Sequence, residues 1–188
     1  AQKKVLNLTY WHDFYKAILK AGFRGGRWIS STNSLLYAYV FYLIGRTEHN
    51  VEPHTLRRLI GQWFFMSTLT GRYTSSPESS MESDLARLRG IKTADEFCQI
   101  LEQVCETVLT GDYWTITLPS DLATSASQSP SLFAYYASLA MVNANALFSS
   151  QSIVELIDPS VHSTKAAVER HHLFPKAYLK SLGITEQR

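Results

Sequence analysis

Apolar residues at helical spacing run through most of the sequence, and this pattern constrains the fold more than any other feature. In TYWHDFYKAIL, which begins at Thr9, the residues Tyr10, Phe14 and Ile18 fall four positions apart. Side chains at that spacing lie on one face of an α-helix and can be buried together. Segments with the same pattern begin at Ser30, Glu52, Ser75, Thr93 and Ser129, and the last of them runs to Phe148. The sequence therefore predicts a mainly α-helical fold, with the helices packed as a bundle.

Residues typical of helix ends bound several of these segments. Thr93 is followed three positions later by Glu96, the capping-box pattern of a helix that begins there. Pro53 stands at a first-turn position, where a helix tolerates proline because the missing N–H has no partner to lose. Glycines in GFRGG, residues 22–26, predict the end of the first long helix. These signals set the expected limits of the helices.

The predicted core draws on several of these helices. The segment from Ser30 is apolar on nearly every side, which predicts a helix at the centre of the bundle. Burying each large side chain is worth about 1.5 to 3 kcal/mol, so core residues should be almost inaccessible to solvent. The predicted core residues are Leu36, Phe41, Trp63, Phe64, Phe97, Leu101, Tyr136 and Leu139.

Two segments depart from the helical pattern. DYWTITLPSDLATSASQ, residues 112–128, alternates apolar and small polar residues, which predicts a short strand or an extended loop. After Ser149 a short apolar run, an Asp-Pro turn and the β-prone AAVERHH follow one another. We therefore predict a helical domain over residues 1–150 and the start of a second domain over residues 151–188.

Hydropathy and cysteine content favour a cytoplasmic chain that makes no membrane contact. No segment approaches the roughly 20 consecutive apolar residues that a transmembrane helix needs. Cys98 and Cys105 lie seven positions apart in one predicted helix, about 10 Å along its axis, which is too far for a disulfide. Two free thiols fit a reducing compartment.

The basic residues are concentrated near the C-terminal end of the sequence. The net charge of the whole chain is only +2, which argues against a general nucleic-acid-binding surface. Residues 162–188 carry a local charge of +3, since five basic residues face two acidic ones, Glu169 and Glu186. The five are Lys165, Arg170, Lys176, Lys180 and Arg188. This excess surrounds a histidine pair, as a phosphate-handling site requires, although a solvated face gives the same count.

The histidine pair belongs to the segment HHLFP, residues 171–175. If residues 167–172 form a strand, His171 and His172 face opposite sides and can serve two different roles. Pro175 ends such a strand because it has no N–H to donate. The following KAYLKSLG has helical spacing, which predicts a strand, a sharp loop and a short helix, with Tyr178 and Leu179 or Leu182 able to face a core.

The string VERHHLFPKAYLKSLGI resembles the opening of the HNH, or ββα-metal, nuclease motif, whose pattern is Asp/His-His-apolar-x-Pro. It is similar in particular to the GmrSD-like group, bacterial proteins that join a ParB-like NTPase domain to a C-terminal HNH nuclease in type IV, modification-dependent restriction. Residues 61–88 are also similar to the middle segment of these proteins. The resemblance covers most of the chain from about Trp28 onward and implies a helical bundle followed by an incomplete ββα-metal element.

The resemblance also implies roles for individual residues. His172 matches the motif histidine that acts as general base toward the attacking water, which suits a side chain with a pKa near 6.5. His171 matches a metal ligand, and the ion would be Mg²⁺, Mn²⁺ or another transition metal. The nearby Arg170, Lys176 and Lys180 are predicted to contact DNA phosphates. A further phosphate contact by Arg72, in GRYTSSPES, is an alternative to a plain helix connection.

The chain departs from the HNH pattern in one respect. The motif needs a downstream Asn and a further His or Asn, and the sequence reaches Arg188 without them. We therefore expect a fragment of a longer protein that is inactive and metal-free by itself. In the complete protein the expected partners are DNA, which could be modified, the NTPase domain and a second copy of the chain. Two alternatives remain: a non-catalytic helical module for DNA recognition, spacing or dimerisation, and a helical scaffold in which HHLFP is coincidental.

Overall fold

A computed structural model describes residues 2–123, 129–158 and 176–184 of the chain. Within these ranges the protein is mainly helical and has no strand, only an isolated bridge between Asn145 and Ser152. The predicted mainly α fold is confirmed. The expected strand of the ββα element, residues 167–172, lies outside the described residues. No helix in the described part of the chain is long and apolar enough to span a membrane.

The helices follow one another with short connections, and the first of them, α1, has only four residues. In chain order they are α1 (Gln2–Val5), α2 (Leu8–Lys20), α3 (Thr32–Thr47), α4 (Pro53–Leu69), α5 (Pro77–Arg87), α6 (Ala94–Val108), α7 (Leu118–Leu122), α8 (Pro130–Met141), α9 (Ile153–Ile157) and α10 (Lys176–Ser181). A 3₁₀ turn, Gly26–Trp28, precedes α3, and a π-helix, Tyr113–Thr117, precedes α7.

Helix α4 lies at the centre of the bundle and packs against α2, α3, α6 and α8. It begins at Pro53 after Glu52, whose carboxylate accepts hydrogen bonds from the backbone N–H groups of His54 and Thr55 at 2.8 and 2.7 Å. Its buried residues cover most of the helix circumference, and the exposed face runs through His54, Arg58 and Gln62. The prediction that α3 is the central helix is therefore wrong, because α3 packs mainly against α4 and less against α2, whereas α4 has four helical neighbours.

Most of the predicted core is confirmed. Six of its residues are buried: Phe41, Trp63, Phe64, Phe97, Leu101 and Tyr136. Leu36, in contrast, is 47% exposed, so its assignment to the core is wrong. The buried stripe of α3 runs through Ser34, Ala38 and Phe41, and Leu36 projects to the opposite side. Leu139 is half-buried and packs against a smaller apolar cluster beside α9.

Residues 112–122 are helical, which overturns the predicted strand or extended loop for that stretch. At the start of this helical stretch, the backbone N–H of Tyr113 donates to the hydroxyl of Thr110 at 3.3 Å. The indole N–H of Trp114 donates to the carbonyl of Leu109 at 3.2 Å, which ties the segment to the end of α6. Strand propensity of aromatic and β-branched residues is weak enough for such local contacts to override it.

The predicted helix over residues 129–148 is shorter than expected. Helix α8 ends at Met141, and Asn143 adopts a left-handed backbone conformation with φ of 53°. The chain then turns back, so that Ile153 and Ile157 of α9 pack with Ala140 and with the half-buried Trp28. The domain boundary near residue 150 stays a prediction.

Candidate functional site

Arg72, the phosphate contact proposed from the sequence, lies in the turn between α4 and α5. Gly71 has a φ of +61°, a backbone conformation that glycine adopts without strain, and it reverses the chain just after α4. The backbone N–H of Arg72 donates to the carbonyl of Ser67 at 3.0 Å. These two features direct the Arg72 side chain toward α5.

The guanidinium of Arg72 binds the carboxylate of Asp84 with two hydrogen bonds. Nε donates to Oδ2 at 2.8 Å, and the terminal nitrogen donates to Oδ1 at 2.5 Å. The hydroxyl of Tyr73 donates to the same Oδ2 at 2.7 Å. Arg72 also lies over the indole ring of Trp63, with its guanidinium carbon 5.8 Å from the ring centroid. The two-point geometry makes this a strong, orienting ion pair.

This network is mostly buried. Asp84 is only 1% exposed, and 20% of the Arg72 side chain reaches solvent. Burial, and then the adjacent carboxylate of Asp84, raise the pKa of Tyr73 above its ordinary value, so the phenol stays protonated and donates. The hydrogen bonds to Asp84 raise the pKa of Arg72. The network joins α4, the following turn and α5 through charges that balance each other.

A polar cavity of about 550 Å³ opens beside Arg72. The residues around it are mainly hydroxylic: Thr70, Gly71, Arg72, Ser75, Ser79, Ser80, Ser83 and Val108. Hydroxyl groups and a guanidinium are common phosphate contacts, so the chemistry of this cavity suits an anion. Because Asp84 neutralises most of the Arg72 charge, the cavity has little net positive potential of its own. A nucleic-acid contact by Arg72 stays a prediction.

The structure describes only part of the C-terminal site predicted from the sequence. Arg170, His171 and His172 lie outside the described residues. Lys176 begins α10, but its side chain is also outside the described part, whereas Lys180 is exposed on that helix. The helix predicted in KAYLKSLG is present, with Leu179 half-buried and both Tyr178 and Leu182 exposed. That these basic residues lie beside the histidine pair stays a prediction.

Potential metal ligands are scattered in the described part of the chain. Within residues 2–123, 129–158 and 176–184, no group of three or more His, Cys, Asp or Glu side chains is placed to hold a metal ion. The metal site predicted at His171 falls outside these ranges.

Sequence reasoning missed Asp84, which holds Arg72 and Tyr73 in place. A signal was available, because Met81, Asp84, Leu85 and Leu88 follow helical spacing on one otherwise apolar face. An acidic residue on such a face is seldom buried unless a cation or donor pairs with it. The nearest upstream cation outside the helix is Arg72.

Comparison with known proteins gave no assignment. We found no significant match to the chain among protein families, curated proteins or solved structures. The resemblance to HNH nucleases therefore stays a prediction that rests on the residues quoted above.

Proposed function

We propose that the chain is part of a metal-dependent DNA endonuclease of the HNH type that acts in restriction of foreign DNA. The observation that carries this proposal is the string VERHHLFPKAYLKSLGI, in which two histidines and a proline stand at the spacing of the motif opening. The short helix α10, which follows Pro175 directly, is compatible with it. The activity is proposed for a longer form of the protein that carries the downstream motif residues.

In this proposal the two histidines divide the chemistry. His172 takes a proton from the water that attacks the phosphorus atom, which requires a neutral imidazole at the working pH. His171 helps to hold a divalent metal ion, which stabilises negative charge on the departing oxygen when it is bound. Arg170, Lys176 and Lys180 would position the DNA backbone through its phosphates.

Substitution of each histidine in the longer protein tests this division. We expect His172→Ala to lower the cleavage rate by about 10² to 10⁴ at every metal concentration, because general-base catalysis is lost. We expect His171→Ala to recover part of its activity as the metal concentration rises, because weaker binding of the ion is overcome by mass action. Cleavage and DNA binding are measured in parallel at one fixed salt concentration, since phosphate-driven affinity depends on salt.

A matched control separates catalysis from folding. His12→Ala changes an exposed histidine on α2, far along the sequence from the pair, and should leave cleavage unchanged. Wild-type cleavage by both His171→Ala and His172→Ala would reject the HNH assignment. Metal rescue of His172→Ala instead of His171→Ala would show that the roles are reversed.

The second candidate is a non-catalytic helical module that recognises DNA, separates domains or dimerises. It is favoured by one observation: most described residues belong to a single helical bundle with a hydroxyl-lined cavity at Arg72. If the longer protein binds DNA but neither histidine affects cleavage, this candidate replaces the first. Sedimentation of the 188-residue chain tests the dimer form of the proposal directly.

A further inference from the structure

A second cavity, of about 610 Å³, lies between α2, α4, α8 and the π-helix. Its floor is apolar and is built from small residues of α2 and α4 together with the half-buried Phe65 and Leu109. The close approach of the two helices depends on Gly61, since a Cβ atom there would lie 3.2 Å from the carbonyl oxygen of Ala17. Concave, mainly apolar cavities of roughly 300 to 1,000 Å³ are typical small-ligand sites.

One wall of the cavity is the indole of Trp114, which is 45% exposed. Its N–H is directed to the carbonyl of Leu109, so the ring is fixed in orientation even though much of its surface meets solvent. Trp114 belongs to the π-helix, a conformation that is rare and is frequent at functional sites. A fixed, exposed indole beside an apolar floor is suited to stacking with a flat aromatic ring.

The rim of the cavity is basic. It carries the cations Lys20, Arg57 and Arg58, with the imidazole of His54 beside them, and no acidic residue is among the described residues that line it. Two of these cations are oriented by ion pairs that also balance their charge: Arg57 pairs with Asp13 at 2.6 Å, and Arg58 pairs with Glu102 at 2.7 Å.

Lys20 is exposed, and no ion pair joins it to another residue of the described part of the chain. The cavity therefore combines an apolar, aromatic interior with one cation at its edge, Lys20, whose charge no described carboxylate balances.

We propose that this cavity binds a nucleotide, with its base against Trp114 and Phe65 and its phosphate at the basic rim. Both parts of the site point to the same ligand, because a base offers an aromatic face and its phosphate needs a cation nearby. The nucleotide comes from an unpaired position of a DNA strand or from a free nucleoside triphosphate. The DNA source rests on the proposed function, whereas the nucleotide site itself does not.

Binding of the 188-residue chain to a fluorescein-labelled 12-nucleotide single strand tests the proposal by anisotropy. We expect Trp114→Ala to weaken binding by roughly 5- to 100-fold, because stacking of a base on an aromatic side chain is lost. Trp114→Phe keeps an aromatic face and should restore most of the affinity. Lys20→Glu should weaken binding and reduce its salt dependence, because one phosphate contact is lost.

The chain offers matched controls. Tyr135 is 46% exposed, almost the same as Trp114, and does not line the cavity, so Tyr135→Ala should bind like wild type. Lys92→Glu makes the same charge change as Lys20→Glu outside the cavity and should have a smaller effect. Circular dichroism of each variant shows whether the bundle is intact. If the base is recognised, the wild-type chain should bind a strand of abasic spacers as weakly as Trp114→Ala binds the ordinary strand.

Three outcomes separate the possibilities. If dATP binds in a Trp114-dependent way and the single strand does not, the nucleotide site stands and DNA is rejected as its source. If neither binds, or if Trp114→Ala and Trp114→Phe both bind like wild type, the nucleotide site is rejected. Because no step of this experiment involves cleavage, its failure leaves the proposal for His172 unaffected, and failure of His172-dependent cleavage leaves this site unaffected.

Discussion

The bundle around α4 and the segment after α8 bury their apolar residues very differently. In the bundle, Phe64, Trp63 and Phe97 are completely inaccessible and belong to the main apolar core. In residues 142–158, Phe148 is 91% exposed and Leu147 is 71% exposed. Large hydrophobic side chains therefore dominate the stability of the bundle, whereas side chains of similar size contribute little to stability in residues 142–158.

The reason is how much of each helix surface is covered by neighbouring helices. Helix α4 has four helical neighbours, α2, α3, α6 and α8, so most of its large apolar residues are buried between them. Helix α9 has five residues and buries only Ile153 and Ile157, against α8 and Trp28. Stabilisation follows the apolar area removed from water, and a five-residue helix with one covered face removes little. The comparison predicts that substitutions act strongly in the bundle and weakly in residues 142–158.

The largest effect is expected at Phe64. We expect Phe64→Ala to lower the free energy of unfolding by about 3 to 5 kcal/mol, because the transfer energy is lost and a cavity remains. The matched substitution Phe148→Ala should change it by less than about 0.5 kcal/mol, since that ring is already in solvent. Urea denaturation of both variants measures the difference. Equal losses would mean that Phe148 is covered by a partner, and the comparison would fail.

A smaller effect on the free energy of unfolding is expected at the buried ion pair between Arg72 and Asp84, which links the end of α4 to α5. We expect Asp84→Ala to cost about 3 kcal/mol, because Arg72 and the Tyr73 hydroxyl lose their shared partner inside the protein. Glu82→Ala, on the exposed side of the same helix, should change the stability by less than about 0.5 kcal/mol. The double variant Arg72→Met with Asp84→Ala should recover part of the loss in the same denaturation assay. If it is less stable than Asp84→Ala alone, the pair is not the cause.

The smallest effect concerns the two cysteines of α6 and their dependence on pH. Burial raises the pKa of Cys105 to about 12, whereas Cys98 is half-buried. Unfolding releases the Cys105 proton above its ordinary pKa of about 8.5. The contribution of this thiol to stability is therefore complete below that pH and is lost as the pH rises toward 12.

Denaturation at pH 7.5, 8.5 and 9.5 should show a decline in stability that Cys105→Ala reduces more than Cys98→Ala does, because burial raises the pKa of Cys98 too but covers that thiol less completely. Labelling with a thiol reagent should modify Cys98 before Cys105, because the buried thiol is both inaccessible and protonated. Simultaneous labelling of both cysteines in the folded protein would show that the bundle opens locally at α6, and the contrast with residues 142–158 would weaken.

Local patterns were sufficient for most of the helices. The capping box predicted between Thr93 and Glu96 is present, with the backbone N–H of Glu96 donating to the Thr93 hydroxyl at 3.1 Å. Pro53 occupies the first turn of α4, as expected. These features depend on residues within one turn of each other, so the sequence contains all the interacting groups. The predicted histidine site was also a local pattern, and it stays a prediction because it lies outside the described residues.

The sequence by itself determined that this protein is helical and where most of its helices begin. The tertiary structure alone decided that α4 rather than α3 is central, that Leu36 faces solvent and that Trp114 stands beside a basic rim. It also decided that Asp84 holds Arg72, since these residues lie on different elements. The physical reason is that periodicity and caps act between residues close in sequence, whereas burial and pairing depend on which helix faces meet.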